Sequence, residues 1–352
     1  MADIFENPIG TDGFEFVEFA AKDSTALKAL FGALGFHAQA KHKSRPITLY
    51  RQGDVVFLIN EEKDGFAGKF SDLHGPCACA MGFRVKDAAF AITETVKRGA
   101  VEVVDDCKAI SAPCIEGIGG SRLYLVDQYG ENSIWDEDYV AIEGAKPANN
   151  DAGLTYLDHL THNVYRGNME KWGEFYENVF NFRQIRYFDI EGKLTGLVSK
   201  AMTSPCGLIR IPINESQDDI SQIAEYLDEY KGEGIQHIAF GTDDIYKSVD
   251  LLRKNGVEFQ DTIESYFELI DERLPGHGED VAELRSRRIL VDGAPTEGQG
   301  ILLQIFTKNV IGPIFFEIIQ RKGNEGFGEG NFQALFDSIE LDQVRRGVIS
   351  SD

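Results

Sequence analysis

Cysteine is sparse in this chain, and its spacing excludes two common scaffolds. Cys77, Cys79, Cys107, Cys114 and Cys206 are odd in number and contain no CxxC pair. Neither a disulfide framework nor a structural zinc site is expected from them. They read as small buried hydrophobes of a reducing compartment. No uninterrupted apolar run approaches the roughly 20 residues that span a bilayer. The opening Met1-Ala-Asp-Ile-Phe-Glu-Asn has neither the basic nor the apolar region of a signal peptide, so cytoplasmic residence is expected. Basic residues are also scarce, 35 Lys and Arg against 58 Asp and Glu, for a net charge of −23. Nucleic acid and anionic membrane are thereby excluded as general partners, because both reward Lys and Arg surfaces. A small anionic substrate needs only a local positive centre and stays open.

What is present is the composition of a soluble globular protein, 43% hydrophobic and 26% charged. A chain of 352 residues exceeds the size at which single cores usually divide, which predicts two domains. A coarse repeat supports that division. The run Gly13-Phe-Glu-Phe-Val-Glu-Phe leads to Leu27, Leu30, Phe31 and Leu34, the spacing of a buried helical stripe. Tyr156-Leu-Asp-His-Leu leads likewise to Trp172, Phe175, Tyr176 and Val179. Met81-Gly-Phe-Arg-Val-Lys-Asp and Ile238-Ala-Phe-Gly-Thr-Asp-Asp open two further copies, whose helices run into Gly99 and Gly256 as left-handed caps. β-rich runs follow each helix. The reading is βαβββ four times over, with the polar stretch Glu143–Gly153 as the boundary between domains 1–150 and 151–352. The fold class is α+β, each domain pairing two modules into an open, barrel-like sheet.

Three ionisable residues stand in strand-like apolar runs: His159 in Leu-Asp-His-Leu, His237 in Ile-Gln-His-Ile-Ala-Phe, and Glu317 in Ile-Phe-Phe-Glu-Ile-Ile. Such groups are costly to bury unless paired or metal-bound. Two imidazoles and one carboxylate that leave a face of the metal open are the ligand set of non-haem Fe(II) oxygenases. The three lie 78 and 80 residues apart, as if successive modules contributed them. A single buried histidine is more often a satisfied core residue than a ligand. Two on the opening strands of adjacent modules, with a glutamate at a third matching position, reverse that weighting. Glu317 shares a strand face with Phe315 and Ile319, where a cation is the simplest compensation. Aligning the helices sets Phe16 opposite His159 and Ala80 opposite His237. One metal site per chain is therefore expected, in residues 151–352.

His162, three residues after His159, points to the opposite strand face and reads as structural. His37, His42, His74 and His277 read as surface residues. Two glycine-rich stretches resemble phosphate loops without their context. Gly117-Ile-Gly-Gly precedes a strand rather than a helix. Gly326-Phe-Gly-Glu-Gly-Asn-Phe follows a strand and precedes a helix but leaves no room for a further βαβ unit. It reads as a hinge before a C-terminal helix with Phe332, Leu335, Phe336 and Ile339 on one face. That helix serves either core packing or as a lid.

Together the runs Leu157-Asp-His-Leu-Thr-His-Asn-Val, Gly234-Ile-Gln-His-Ile-Ala, Leu303-Gln-Ile-Phe, Phe316-Glu-Ile-Ile-Gln-Arg-Lys-Gly and Gly326-Phe-Gly-Glu-Gly-Asn-Phe resemble the 4-hydroxyphenylpyruvate dioxygenase family, bacterial type, within the vicinal oxygen chelate (glyoxalase-like) superfamily. The resemblance implies that His159, His237 and Glu317 bind one Fe(II) per chain. It implies that Ser199, Asn214, Gln222 and Gln304 surround the substrate's ring and hydroxyl. Gln236 matches another pocket glutamine, though strand parity sets it opposite His237. Phe306, Phe327, Phe332 and Phe336 match an aromatic wall and a C-terminal gating helix. The implied substrate is a 2-oxo acid that supplies its own chelating oxygens, with O2 as co-substrate and no external 2-oxoglutarate. Decarboxylation, ring hydroxylation and side-chain migration would give homogentisate and CO2, a step of tyrosine and phenylalanine catabolism. A homo-oligomer, dimer or tetramer, is expected. The alternatives are 4-hydroxymandelate synthase, an extradiol ring-cleaving dioxygenase, and a non-catalytic small-molecule-binding protein of the same superfold. Phe332 favours the first reading over the synthase, whose members tend to carry a branched aliphatic residue there.

Overall fold

Alternating and continuous apolar runs become sixteen strands, and the amphipathic stripes between them become helices, in a computed structural model that describes residues 3–130, 133–149, 151–191, 196–219 and 221–335. The first unit is β1 (Thr11–Ala20), the helix Thr25–Ala33 with Leu27 and Phe31 buried, β2 (His37–His42), β3 (Ile47–Gln52) and β4 (Val55–Asn60). The second is β5 (Cys77–Val85), the helix Ala88–Lys97, β6 (Cys114–Glu116), β7 (Arg122–Val126) and β8 (Tyr139–Ala141). The third is β9 (Leu154–Val164), the helix Met169–Phe180, β10 (Arg183–Glu191), β11 (Gly196–Thr203) and β12 (Arg210–Ser216). The fourth is β13 (Gly234–Thr242), the helix Ile245–Lys254, β14 (Leu290–Gly293), β15 (Ile301–Phe306) and β16 (Phe315–Lys322).

Local chemistry sets the helix ends. Asp87 and Asp244 accept hydrogen bonds from the first-turn amides of Phe90 and Lys247. The same helices stop at Gly99 and Gly256, whose φ values of 102° and 91° suit only glycine. One feature departs from the plain repeat. The last strand of the second unit, β8, crosses the sheet to pair with β2 instead of joining β6 and β7.

Two eight-stranded mixed sheets result, in the orders β6-β7-β5-β1-β4-β3-β2-β8 and β10-β11-β12-β9-β13-β16-β15-β14. Each is centred on an antiparallel pair, β1 with β5 and β9 with β13, flanked by parallel partners. The registers correspond. Phe16 and Tyr124 both lie opposite Gly82, while His159 and Glu317 both lie opposite Ala239. Ala80 takes the place of His237. The inside of the first sheet is filled by Phe16, Tyr124 and Trp135, with the Phe16 ring centred 5.5 Å from Tyr124 and 5.4 Å from Trp135. A separate apolar cluster forms there. The largest core instead joins the two sheets, where Phe36 and Phe57 meet Phe240 and Phe316. Gly119 belongs to the same junction. A Cβ on it would lie 1.9 Å from the carbonyl oxygen of Glu233, so Gly117-Ile-Gly-Gly is a docking turn against the approach to β13.

Candidate metal centre

The three central strands of the second sheet each deliver one side chain to a common point. His159 comes from β9, His237 from β13 and Glu317 from β16. One ligand atom from each lies within 4.8 Å of the others. His159 Nε2 is 3.1 Å and His237 Nε2 3.4 Å from Glu317 Oε2, and the two Nε2 atoms are 3.3 Å apart. Ala239, between His159 and Glu317 in register, has only a methyl group to place there. Glu317 is 2% exposed and its Oε1 has no hydrogen-bond partner. A buried carboxylate oxygen left without a donor is expensive. Two imidazole nitrogens and a carboxylate oxygen converging on one point fit a divalent transition metal.

Each imidazole is oriented by the residue before it. Between Ile235 and His237 the register against β9 skips one residue, and between Ala239 and Phe240 the skip lies on β9. The extra residues are Gln236 and Asp158, each bulged out of regular alternation. Gln236 Oε1 accepts the Nδ1 proton of His237 at 2.6 Å, and Asp158 Oδ1 accepts that of His159 at 2.8 Å. Both bonds leave Nε2 free to face the site. The bulge corrects the strand-parity argument about Gln236, since an unpaired residue does not obey a period of two.

Asp158 is itself buried. Burial pushes its carboxyl up, but Arg321, bidentate at 2.8 Å to both oxygens, together with His159 holds it well below the usual range. His159 is raised, burial being outweighed by Glu317 and Asp158, whereas burial lowers His237. His162 lies on the other face as expected. It is fully buried, 2.7 Å from the Tyr176 hydroxyl, and burial pushes its pKa down to about 3.

Around the triad, Phe315 stacks on His237 with centroids 4.9 Å apart, Phe306 lies 6.4 Å from His237, and Phe327 meets His159 edge-on at 5.4 Å. Gln304, 1% exposed, shares the strand face of Phe306, and its Oε1 accepts from Asn331 Nδ2 at 3.3 Å. Ser199 and Asn214 are cross-strand neighbours on β11 and β12, and Asn214 pairs in turn with Asn163 on β9. Asn163 escaped the sequence reading. It is fully buried with neither amide atom hydrogen-bonded, and its parity with His159 and Thr161 was the available signal. Thr161 was also missed, and its Oγ1 lies 2.9 Å from His237 Nε2. Gln222 stands exposed at the first residue of the helix Gln222–Tyr230. Phe332 is 40% exposed on the helical segment 329–335, and Phe336 lies outside the described residues.

The glycines of Gly326-Phe-Gly-Glu-Gly-Asn-Phe are close-packing positions, whereas the sequence suggested a hinge. A Cβ at Gly328 would fall 1.6 Å from Gln304 Oε1, and one at Gly330 2.3 Å from Asp292 Oδ1. The Gly330 amide donates to Asp292, and Asn331 Oδ1 accepts from the Tyr266 hydroxyl at 2.6 Å. The segment is thereby seated directly on Gln304.

Residues 5–140 match the family model described as hydroxyphenylpyruvate dioxygenase, N-terminal, and residues 156–268 match that of the glyoxalase/bleomycin resistance protein/dioxygenase superfamily. The chain is 59% identical to 4-hydroxyphenylpyruvate dioxygenase of Pseudomonas aeruginosa, over 97% of each chain. It is 58% identical to hemolysin VllY of Vibrio vulnificus over 98% of each. Among solved structures it resembles a mutant of 4-hydroxymandelate synthase from Streptomyces coelicolor, with a TM-score of 0.80 and 25% identity over 95% of this chain and 99% of that one.

Proposed function

The chain belongs to the 4-hydroxyphenylpyruvate dioxygenase family, and from that membership we propose that it converts 4-hydroxyphenylpyruvate and O2 to homogentisate and CO2 at the His159–His237–Glu317 centre. The single observation that carries the reading is the convergence of three donors, two of them buried, on adjacent strands of the second sheet, with Glu317 Oε1 left without a protein partner. Among the described residues this is the one group of three or more His, Cys, Asp or Glu side chains suited to a metal. One Fe(II) per chain would be held there, and the chemistry it supplies is activation of O2 beside a chelated 2-oxo acid.

The remaining work falls to the chain. Asp158 and Gln236 hold both imidazoles in the tautomer that turns Nε2 inward. Phe306, Phe315 and Phe327 enclose the centre in apolar surface that suits a phenyl ring and limits water. Gln304, Ser199, Asn214 and the unpartnered amide of Asn163 provide the polar partners that a ring hydroxyl needs on burial. We assign Gln236 to orienting His237 as well as to the pocket wall. Gln222 and Phe336 stay in the proposed pocket on the strength of the resemblance alone, and Phe332 belongs to the proposed gate.

We further propose that residues 1–150 form a domain without metal and 151–352 the catalytic one, and that the protein is a cytoplasmic dimer or tetramer. No helix of the described residues is long and apolar enough to cross a membrane. The test is stoichiometry with 4-hydroxyphenylpyruvate. One CO2 released per O2 consumed, with homogentisate identified by mass and ring substitution, is the expected result. Hydroxymandelate would place the chain with the synthase, and binding without turnover would reduce it to a carrier.

A further inference from the structure

We infer that Arg321 is a positioning residue that couples filling of the metal site to docking of the 324–335 segment over it. The inference rests on the metal reading given above. Arg321 stands near the end of β16, four residues beyond Glu317, and its three guanidinium nitrogens serve two different structures. Nε and Nη2 bind both oxygens of Asp158 at 2.8 Å, and Asp158 Oδ1 holds the Nδ1 proton of His159. Nη1 donates to the carbonyl oxygens of Asn324 at 3.0 Å and Gly326 at 2.7 Å. The guanidinium also lies over the Phe327 ring, 5.7 Å from its centroid, and that ring meets His159 at 5.4 Å. The contacts close a circuit from His159 through Asp158 and Arg321 into residues 324–327 and back to His159.

A second guanidinium makes the same connection. Arg210, on β12, lies 3.6 Å from Asp158 Oδ2 and bonds Glu325 Oε2 at 2.6 Å. Asp158 has no exposure, so its two oxygens depend on these two guanidinium groups and on the imidazole for partners. Lifting the segment would remove two carbonyl acceptors from Arg321 and the carboxylate partner of Arg210. Both guanidinium groups would then need other partners for the hydrogen bonds lost. The grip on Asp158, and through it the aim of His159 Nε2, would loosen. By linkage, an ion that demands that aim favours the docked segment, and the docked segment tightens the ion by the same factor.

Hydrogen exchange of the amides in 324–335 reads this coupling directly. Metal-stripped protein and the same protein with Fe(II) added anaerobically are compared, for the native chain and for Arg321→Gln. In the native chain Fe(II) is expected to slow exchange in the segment by roughly 5-fold or more. In Arg321→Gln the metal-dependent slowing disappears and Fe(II) affinity falls by a similar factor. A purely structural role for Arg321 would raise exchange equally with and without metal. Native protein that binds Fe(II) with no change in the segment overturns the inference, as does full metal-dependent slowing in Arg321→Gln. Native protein that binds no Fe(II) instead defeats the metal reading itself. Should Arg321→Gln not fold, Glu325→Ala, at an exposed side chain, carries the test. It is expected to weaken the slowing by removing the Arg210 link, and unchanged slowing there overturns the inference.

Discussion

Ala80 occupies, in the first sheet, the register position that His237 occupies in the second. Ala80 lies opposite Glu18 on β1 and Arg122 on β7, and His237 lies opposite Thr161 on β9 and Phe315 on β16. The two halves share a frame but not its contents. Phe16 and Tyr124, at the positions of His159 and Glu317, fill the first interior. Ala80→His is therefore expected to overpack that interior and lower stability by about 1–3 kcal/mol. Thermal or denaturant unfolding measures the loss, and iron analysis should still find one metal per chain. Two would mean that the first interior can open to form a second site.

His237 and His162, both in strands of the second sheet, have different tasks. His237→Ala is expected to abolish Fe(II) retention and O2 uptake. His162→Asn should keep its iron and instead lose stability, because the Tyr176 hydroxyl loses its partner in a dry core. The cost is about 1–3 kcal/mol. Iron content after anaerobic purification, read beside the unfolding midpoint, separates the two effects. Iron lost from His162→Asn, or stoichiometric iron with turnover in His237→Ala, would show the site to be misassigned.

Gly328 leaves room for Gln304. An alanine methyl there would meet Gln304 Oε1 at 1.6 Å, on a backbone with φ of 76°. Gly328→Ala should displace the glutamine, and kcat/KM for 4-hydroxyphenylpyruvate should fall about tenfold or more, about 1.4 kcal/mol of transition-state binding. Iron content should hold. Steady-state O2 consumption tests this, and unaltered kcat/KM would remove Gln304 from the substrate's surroundings.

Glu18 is a buried acid on β1 of the first sheet. Burial pushes its carboxyl up to about 7 from an ordinary value of 4.5, against the pull of Asn60 and Arg122, and its Oε2 has no partner. The native state therefore holds a proton that the unfolded chain releases at lower pH. This group's contribution is complete below about 4.5 and is lost as pH rises through about 7. The full swing is on the order of 3 kcal/mol. Glu18→Gln, which keeps a neutral side chain at every pH, should gain stability over the native chain between pH 5 and pH 8. A pH-independent difference in unfolding free energy would contradict this.

Much of the fold was legible because it follows from two periods. The stripe Trp172, Tyr176, Val179 could only be a helix with one buried side, and alternation set His162 away from His159. The proposed ligands were legible for an energetic reason, since a glutamate between Phe315 and Ile319 needs compensation. Other features left no local trace. The crossing of β8 to β2 is a pairing choice between distant segments. Gly326, Gly328 and Gly330 looked like a hinge because sequence shows flexibility where structure shows close contact. Asn163 was passed over because its missing partners are visible only once its neighbours are in place.

The sequence by itself determined the family, and it singled out two imidazoles and a carboxylate in the second half of the chain as candidate donors, because residue chemistry and period are local properties. Only the tertiary structure decided how those donors are aimed. Asp158 and Gln236 reach the histidines beside them because each is the extra residue of a bulge, and a bulge exists only relative to a partner strand. Arg321 joins that aim to the 324–335 segment because β16 and β9, distant in sequence, flank β13 in the same sheet.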